Sequence, residues 1–219
     1  MKKRSSSLSS NQYSSHRDLD DVVRRHQNFL YQRPFATYSH RQFDRINTLV
    51  NAYGGPVILD SGCGNGEAAY TLADEYPDHL VIGIDKSEAK ISAAPARDAP
   101  SNLHLVRGNC VDIWRLAANA NWPIRHHFLL YPNPWPKAKH LKRRWHGHPV
   151  FSSLLALGGH LELRSNWKIY VVEFSIALEI AAAHHSQVEQ FSPRAPLTPF
   201  ERKYAASGHP LYRLRVQLS

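Results

Sequence analysis

Cysteine is scarce in this chain of 219 residues, which has only Cys63 and Cys110. Two cysteines cannot build a disulfide framework, and their separation rules out a CxxC metal site. We therefore expect a protein of a reducing compartment, the cytoplasm. The chain has fourteen histidines, but the paired ones lack the i, i+4 spacing and the acidic partners of a zinc site. We expect no bound metal and histidines that face solvent or phosphate.

Long apolar runs are also absent. None approaches the roughly 20 residues that cross a bilayer, so we expect no membrane partner. The first residues carry charge without the apolar segment of a secretory signal. Because residues 1–18 are rich in serine and basic at their start, they are predicted to form a disordered tail with weak affinity for polyanions. No internal repeat is visible.

Acidic residues are missing from one short stretch in particular. Residues 137–148, KAKHLKRRWHGH, contain five Lys or Arg and three His without an acid, in a chain of net charge +9. Basic residues interleaved with Trp135 and Trp145 are typical of a nucleic-acid interface. A solvated charged face is the alternative.

Short apolar runs alternate with helical patterns from residue 56 onward. Two amphipathic helices precede them, the second ended by Gly54-Gly55. This alternation predicts one domain over residues 19–219, with a doubly wound, mostly parallel seven-stranded sheet and helices on both faces. The strands are predicted at 56–60, 79–85, 102–109, 125–132, 160–165, 187–191 and 211–218.

The stretch LDSGCGNGEAAY contains the first candidate site. It places Gly62, Gly64 and Gly66 between a strand and a helix, where glycine permits a tight turn close to a ligand. The spacing is GxGxG after an acid, Asp60, and differs from the GxGxxG of dinucleotide sites. An aspartate here favours a ligand with an amino group or hydroxyls, such as S-adenosylmethionine, over a pyrophosphate. A packing turn or another nucleotide are the alternatives.

Polar residues also follow the second and third predicted strands. Asp85 can accept hydrogen bonds from ribose hydroxyls, and the amide oxygen of Asn109 can accept one from an adenine amino group. Cys110 and Asp112 are neighbouring candidates for the same cofactor site. Ligands bind at the carboxyl ends of parallel strands, so we expect these residues to meet the proline-rich loop that follows residue 130.

That loop begins YPNPWPKAKHLKRRW at residue 131, and RSNWKIY and TPFERKY follow it. Together these stretches resemble the bacterial tRNA (guanine-N7)-methyltransferases, from about Pro56 to the C-terminus. The family's first signature reads approximately Phe-Pro-Asp-Pro-Trp-x-Lys before a basic cluster, and its second surrounds Thr-x-Phe-Glu. The resemblance implies a Rossmann-like class I fold, S-adenosylmethionine as cofactor, and tRNA as partner, with methylation of a guanosine in the variable loop.

The resemblance also implies roles for single residues. Asn133 stands at the position of the proposed catalytic residue. Substrate binding is implied for Lys137, Asn166, Thr198 and Glu201. The basic run can hold the RNA backbone, through Lys139, Lys142, Arg143 and Arg144. Trp135 or Trp145 can stack on a splayed base.

Asparagine replaces the family's usual aspartate at Asn109, Asn133 and Asn166. Guanine N7 is an unprotonated acceptor, so methyl transfer to it requires placement more than a general base. We therefore expect a slower or retuned enzyme. The alternatives are a paralogue that methylates another RNA or nucleotide, and a non-catalytic RNA-binding relative. A small-molecule methyltransferase would leave the basic run unexplained. Monomer and homodimer both stay open.

Overall fold

The computed structural model of the protein describes residues 9–29 and 31–219. Its strands are β1 (Val57–Ser61), β2 (Leu80–Asp85), β3 (Leu103–Arg107), β4 (Ile124–Leu130), β5 (Gly159–Ser165), β6 (Gln187–Phe191) and β7 (Leu211–Leu218). Its α-helices are α1 (Leu19–Gln27), α2 (Thr37–Tyr53), α3 (Glu67–Glu75), α4 (Glu88–Ile91), α5 (Cys110–Asn119), α6 (Phe151–Leu155), α7 (Lys168–Ala182) and α8 (Pro199–Ala206). Two 3-10 turns lie at Ala138–Arg143 and Trp145–Gly147.

The strands form one sheet in the order β3-β2-β1-β4-β5-β7-β6. Strands β1 to β5 pair in parallel, whereas β7 is antiparallel to both β5 and β6. The predicted mostly parallel seven-stranded sheet is therefore confirmed. The carboxyl ends of β1 to β5 meet at one edge of the sheet, where ligands bind in folds of this kind.

The sheet is covered on both faces, which explains the apolar strands. Every residue of β1 is buried. Val57 and Leu59 share a core with residues of α2, α5 and α7, whereas Ile58 packs with residues of α3 in a second core. Successive side chains of a strand point to opposite faces, so a strand buried on both faces has a continuous apolar sequence.

Helix ends follow local sequence in some places and tertiary contacts in others. Gly54 ends α2 with φ of 65°, and its N–H donates to the Val50 carbonyl, as the Gly54-Gly55 pair predicts. Helix α4 is short: the Ser87 side chain caps its start and it ends at Ile91, before Pro95, which disfavours helical backbone in the residue that precedes it. Sequence reasoning missed α8. Thr198 caps it and Pro199 occupies its first turn, which is a recognisable start signal.

The prediction of disorder is wrong for the part of residues 1–18 that packs on the domain, which includes Ser10 and Gln12. Gln12 is buried, and the Ser10 hydroxyl donates to the Pro136 carbonyl at 2.6 Å. Composition alone does not reveal this packing, because the partners of Gln12 are Glu173 on helix α7 and Arg144 in the basic run. Residues 1–8 lie outside the described part of the chain. Within that described part, no helix is long and apolar enough to cross a membrane.

Candidate functional site

The glycine loop connects β1 to α3 at the carboxyl edge of the sheet. Gly62 and Gly64 have φ of 81° and 64°, and a Cβ on either would meet nothing within 4 Å. Both positions therefore combine left-handed backbone with open space, which allows a ligand to approach the main chain. Gly66 differs, because a Cβ there would lie 2.6 Å from Leu105 Cδ1. Its role is close packing of α3.

Two carboxylates lie beside this loop. Asp60 is almost fully buried and its Oδ2 has no partner among the described residues. Burial, and then the charge of Asp85, raise the pKa of Asp60 to about 7. A buried carboxylate oxygen without a hydrogen-bond partner is costly, and a cationic group of a ligand would provide that partner.

Asp85 holds the glycine loop in place while keeping acceptor capacity. Its Oδ2 accepts from the Gly64 N–H at 3.1 Å and its Oδ1 from the Ser87 N–H at 2.8 Å. Each carboxylate oxygen can accept more than one hydrogen bond. Lys90 lies 3.6 Å from Oδ2 and is half exposed. Asp85 can therefore receive hydroxyl donors from a ligand beside Gly64.

The third strand leads to Asn109, whose side chain has a different partner from the expected one. Its Oδ1 accepts from the Val111 N–H at 3.1 Å and caps α5. The amide oxygen keeps a second lone pair, so its predicted acceptance from an adenine amino group stays a prediction. Asp112 is buried, accepts from the Ala36 N–H at 3.1 Å, and leaves Oδ1 without a partner in the described chain. Asp112 is thus the better candidate for a ligand contact at this strand end.

Cys110 begins α5 beside these groups. Burial, and then the charge of Asp85, raise the pKa of its thiol to about 12. Since the thiolate is the reactive form, Cys110 is an apolar wall of the site at neutral pH.

The proline-rich loop follows β4 at the same edge. Tyr131 and Trp135 have φ of 54° and 46°, a conformation that non-glycine residues adopt rarely and that clusters at functional sites. Asn133 is exposed between them, and its Oδ1 accepts from the Trp135 N–H at 3.3 Å. The loop therefore presents Asn133 to solvent at the sheet edge that also carries the glycine loop.

Glu201 joins this loop to α8 and β5. Its carboxylate is fully buried and accepts from the Tyr131 hydroxyl at 2.9 Å and from Arg164 Nη1 at 2.9 Å. Its backbone N–H donates to Thr198 Oγ1 at 3.0 Å. Thr198 and Glu201 therefore connect the start of α8 to Tyr131, the first residue of the proline-rich loop. Direct substrate contact by Glu201 is not supported, because protein groups already occupy its carboxylate.

The basic run divides into exposed and buried members. Those exposed are Lys137, Lys139, Lys142 and Arg143. The Arg143 guanidinium lies 4.8 Å from the centre of the Trp135 ring, so both can face one RNA strand. The prediction that Arg144 contacts the RNA backbone is wrong, since its side chain is fully buried and donates to Glu173 at 2.5 Å.

Several other residues that were expected to face RNA or solvent are wholly or partly buried. Trp145 packs against Trp114 with ring centres 4.6 Å apart, so it supports the core. Asn166 follows the carboxyl end of β5 and is half-buried. The expectation of solvent-facing histidines is wrong for His127, which is buried with its Nε2 2.8 Å from Ser61 Oγ, and for His146, which is buried against Glu173.

Three important residues escaped sequence reasoning. Gln12 lies in a serine-rich stretch, Glu173 in a helical pattern and Arg164 in a strand, and none has a motif around it. Alternation along β5 would have put Arg164 on one face with Glu162, but only the fold shows that both are buried. Within the described chain, no cluster of three His, Cys, Asp or Glu could hold a metal ion.

Residues 54–214 match the protein family described as "Putative methyltransferase". The chain therefore belongs to this family of methyltransferases. Among similar proteins is the tRNA (guanine-N(7)-)-methyltransferase of Leifsonia xyli subsp. xyli, 29% identical over 173 residues that cover 74% of this chain and 76% of the relative. The enzyme of the same name from Lysinibacillus sphaericus is 27% identical over 184 residues, or 77% and 83% of the two chains.

Solved structures show the same fold. The 16S rRNA methyltransferase KamB superposes with a TM-score of 0.59 at 18% identity, covering 85% of this chain and 97% of that one. A mutant of the 16S rRNA (adenine(1408)-N(1))-methyltransferase of Catenulisporales acidiphilia, solved with cosubstrate SAM, has a TM-score of 0.54 at 20% identity and covers 80% and 90%. At this identity the likeness concerns architecture alone.

S-adenosylmethionine, the methyl donor of this class, fits the residues at the strand ends. The unpaired oxygen of buried Asp60 suits an α-amino cation, and Asp85 suits ribose hydroxyls. The open, left-handed positions Gly62 and Gly64 leave room for the ligand against the backbone.

Proposed function

We propose that this protein methylates N7 of a guanosine in tRNA, in the variable loop. The observation that carries the proposal is a juxtaposition at one sheet edge. The open glycine loop and the carboxylates Asp60 and Asp85 lie at the same edge as a strained loop that presents Asn133 and continues into four exposed cations. The names of the similar curated enzymes support the same substrate.

S-adenosylmethionine, when bound, supplies an electrophilic methyl group on a sulfonium. Guanine N7 carries a lone pair and no proton, so the chain needs no general base. The residues of the chain bind and orient the cofactor and the guanine. Asp60 binds the α-amino group of the cofactor and Asp85 its ribose hydroxyls, and the amide of Asn133 offers hydrogen bonds to the edge of the guanine base. Placement of the two reactants is the main contribution to rate.

The exposed cations position the RNA. Lys137, Lys139, Lys142 and Arg143 lie along one turn-rich segment, and contacts to phosphates fix register without reading sequence. The Trp135 ring with Arg143 above it offers a stacking surface for an unpaired base. A cytoplasmic location follows from tRNA as substrate.

The proposal is tested by incubating the protein with labelled S-adenosylmethionine and unmodified tRNA, then digesting the RNA and measuring 7-methylguanosine. Asp85→Asn is expected to lower product formation at least tenfold, since the cofactor loses a charged acceptor. Asp98→Asn is the matched control, because Asp98 is exposed in the segment that precedes β3. Absence of 7-methylguanosine at high enzyme concentration would contradict the proposal.

A second candidate follows from asparagine at positions 133 and 166. An amide carries no charge and can donate as well as accept, so a site with asparagine where the resembling enzymes have aspartate can prefer other groups, and another RNA or a nucleotide is the alternative substrate. Assays on 16S rRNA and on free nucleotides separate the two. Label in either, without label in tRNA, would favour the alternative. Steeply salt-dependent RNA binding without cofactor affinity would instead indicate a non-catalytic relative.

A further inference from the structure

The segment before α1 runs along the proline-rich loop. The Ser10 hydroxyl donates to the Pro136 carbonyl at 2.6 Å, and the Asn11 Oδ1 accepts from the Ala138 N–H at 3.2 Å. These contacts join residues more than 120 positions apart in the chain. The segment is therefore packed along the loop that carries Asn133.

Gln12 anchors the segment in a buried polar cluster. Its Nε2 donates to Glu173 Oε1 at 2.5 Å and to the Ser14 carbonyl at 2.7 Å, while its Oε1 accepts from Arg144 Nη2 at 2.8 Å. The His16 N–H also donates to Glu173 Oε1, at 2.8 Å. The amide of Gln12 thus uses both its donor and its acceptor side between two buried charges.

Arg144 extends this cluster to the main chain of the loop. Its Nη1 donates to Glu173 Oε2 at 2.5 Å, and its Nη2 donates to the Trp135 carbonyl at 3.1 Å and the Lys137 carbonyl at 3.3 Å. A planar guanidinium can serve several acceptors at fixed angles. Arg144 therefore ties α7 to the two carbonyls on either side of Pro136.

We propose that Gln12, Arg144 and Glu173 are positioning residues for methyl transfer, forming a buried clasp that fixes the loop from Asn133 to Lys137. The inference rests on the proposed function. Loop residues outside regular structure need tertiary contacts to keep one conformation, and Trp135 has an uncommon φ of 46°. The clasp binds the carbonyls of Trp135 and Lys137, and Ser10 and Asn11 add hydrogen bonds to the main chain of Pro136 and Ala138.

Gln12→Ala tests the clasp in the full chain without changing any charge. A displacement of the substrate loop by about 1 Å can cost up to a hundredfold in rate. We expect about tenfold lower kcat on tRNA, with the dissociation constant of S-adenosylmethionine unchanged within twofold. The salt dependence of tRNA binding is expected to stay the same, since the variant keeps every cation.

A second measurement does not depend on methylation. Trypsin cleaves after Lys137, the last residue of the clasped loop, and after Lys139 in the turn that follows it, and both lysines are exposed. In Gln12→Ala, native-state cleavage at these two sites is expected to be several-fold faster than in the unaltered protein. The two proteins are compared at the same interval below their melting temperatures, so that a difference in global stability does not account for the result. If the unaltered protein makes no 7-methylguanosine, the proposed function fails, and trypsin cleavage still decides whether the clasp exists.

Two further variants make the test specific. Gln27→Ala removes another glutamine that donates to helix α7, at the Ala181 carbonyl, without touching the loop, so kcat and cleavage are expected to be unchanged. Arg144→Lys keeps the charge and removes the planar fork, so it is expected to reproduce the Gln12→Ala pattern. Equal effects of Gln12→Ala and Gln27→Ala, or a Gln12→Ala defect confined to cofactor affinity, would overturn the proposal.

Discussion

Arg144 and Glu173 form an ion pair at 2.5 Å in which both side chains are fully buried. The pair lies between helix α7 and the proline-rich loop, and His146 Nε2 approaches the same carboxylate oxygen at 3.0 Å. Burial alone would raise the pKa of Glu173, but the hydrogen bonds and charges of His146 and Arg144 outweigh it and lower that pKa to about 2. Glu173 is therefore ionised at every physiological pH.

Glu173→Ala is expected to lower the free energy of unfolding by roughly 3–5 kcal/mol, because it leaves the Arg144 cation buried without a partner. Urea denaturation followed by circular dichroism measures the change. Glu179→Ala on the same helix is the control, since the Glu179 side chain pairs with exposed His185, and it is expected to cost less than about 1 kcal/mol. Similar destabilisation by both variants would contradict a special role for the buried pair.

The low pKa of Glu173 also sets a pH dependence. A carboxyl whose pKa is lower in the folded state contributes stability above its unfolded value of 4.5, and that contribution is lost as pH falls toward about 2. Between these values the unaltered protein is expected to lose stability faster than Glu173→Gln does. Thermal melts at several acidic pH values check this, and parallel pH profiles would count against it.

Cofactor affinity is expected to depend on the protonation of Asp60. Its pKa of about 7 means that it binds a proton in mildly acidic solution, whereas an α-amino cation favours the carboxylate. Below about pH 7 the dissociation constant of S-adenosylmethionine should rise by up to about tenfold per pH unit. Calorimetry between about pH 5.5 and 7 measures it, a range in which the amino group stays cationic. A flat profile that matches Asp60→Asn would contradict the assignment.

The same carboxyl opposes folding at neutral pH. Its pKa rises from 3.8 to about 7 on folding, so the folded state binds more protons between these values and stability falls as pH rises through that window. Asp60→Asn is therefore expected to melt at a higher temperature than the unaltered protein at about pH 8, and no higher at about pH 4. If the variant melted at a lower temperature than the unaltered protein at about pH 8, the conclusion that ionised Asp60 opposes folding would be contradicted.

Asn133→Asp is expected to preserve or raise methylation of tRNA, by up to about fivefold. A charged acceptor binds more strongly than a neutral one by roughly 1 kcal/mol, and it offsets the positive charge left on methylated guanine. The turn survives, because aspartate can also accept from the Trp135 N–H. Initial rates with saturating cofactor measure the effect, with exposed Asn51→Asp as control. Abolished activity would contradict this account of Asn133.

Lys139 and Lys142 are expected to contact phosphates and Arg144 is not. Replacing both lysines with alanine should reduce the slope of log affinity for tRNA against log salt by about 0.7–0.9 for each phosphate that is no longer neutralised. Arg125→Ala is the control, because Arg125 is exposed at the amino end of β4, on the opposite edge of the sheet. Filter binding at several salt concentrations measures the slopes. Equal slopes for all proteins would refute the interface.

Patterns within short windows were sufficient for much of the fold. Apolar runs and glycine punctuation located β1, β2 and the loop at Gly62 and Gly64, because strand burial and turn geometry depend on near neighbours in sequence. The start of α8 at Thr198 had a local signal that was missed. The internal hydrogen-bond partners of Asn109 and Glu201 could not be predicted, since these contacts depend on the tertiary fold or on a cap geometry that residue type does not specify.

Local sequence specified the sheet, the edge where the site lies and the cationic character of the loop after β4, because periodicity and residue type are properties of short windows. Tertiary structure decided which cations face solvent. Arg143 and Arg144 are adjacent in the same basic run, yet one lies over Trp135 at the surface and the other is buried against Glu173. That difference arises from partners 29 and 132 residues away, Glu173 and Gln12, and burial of a charge depends on such partners.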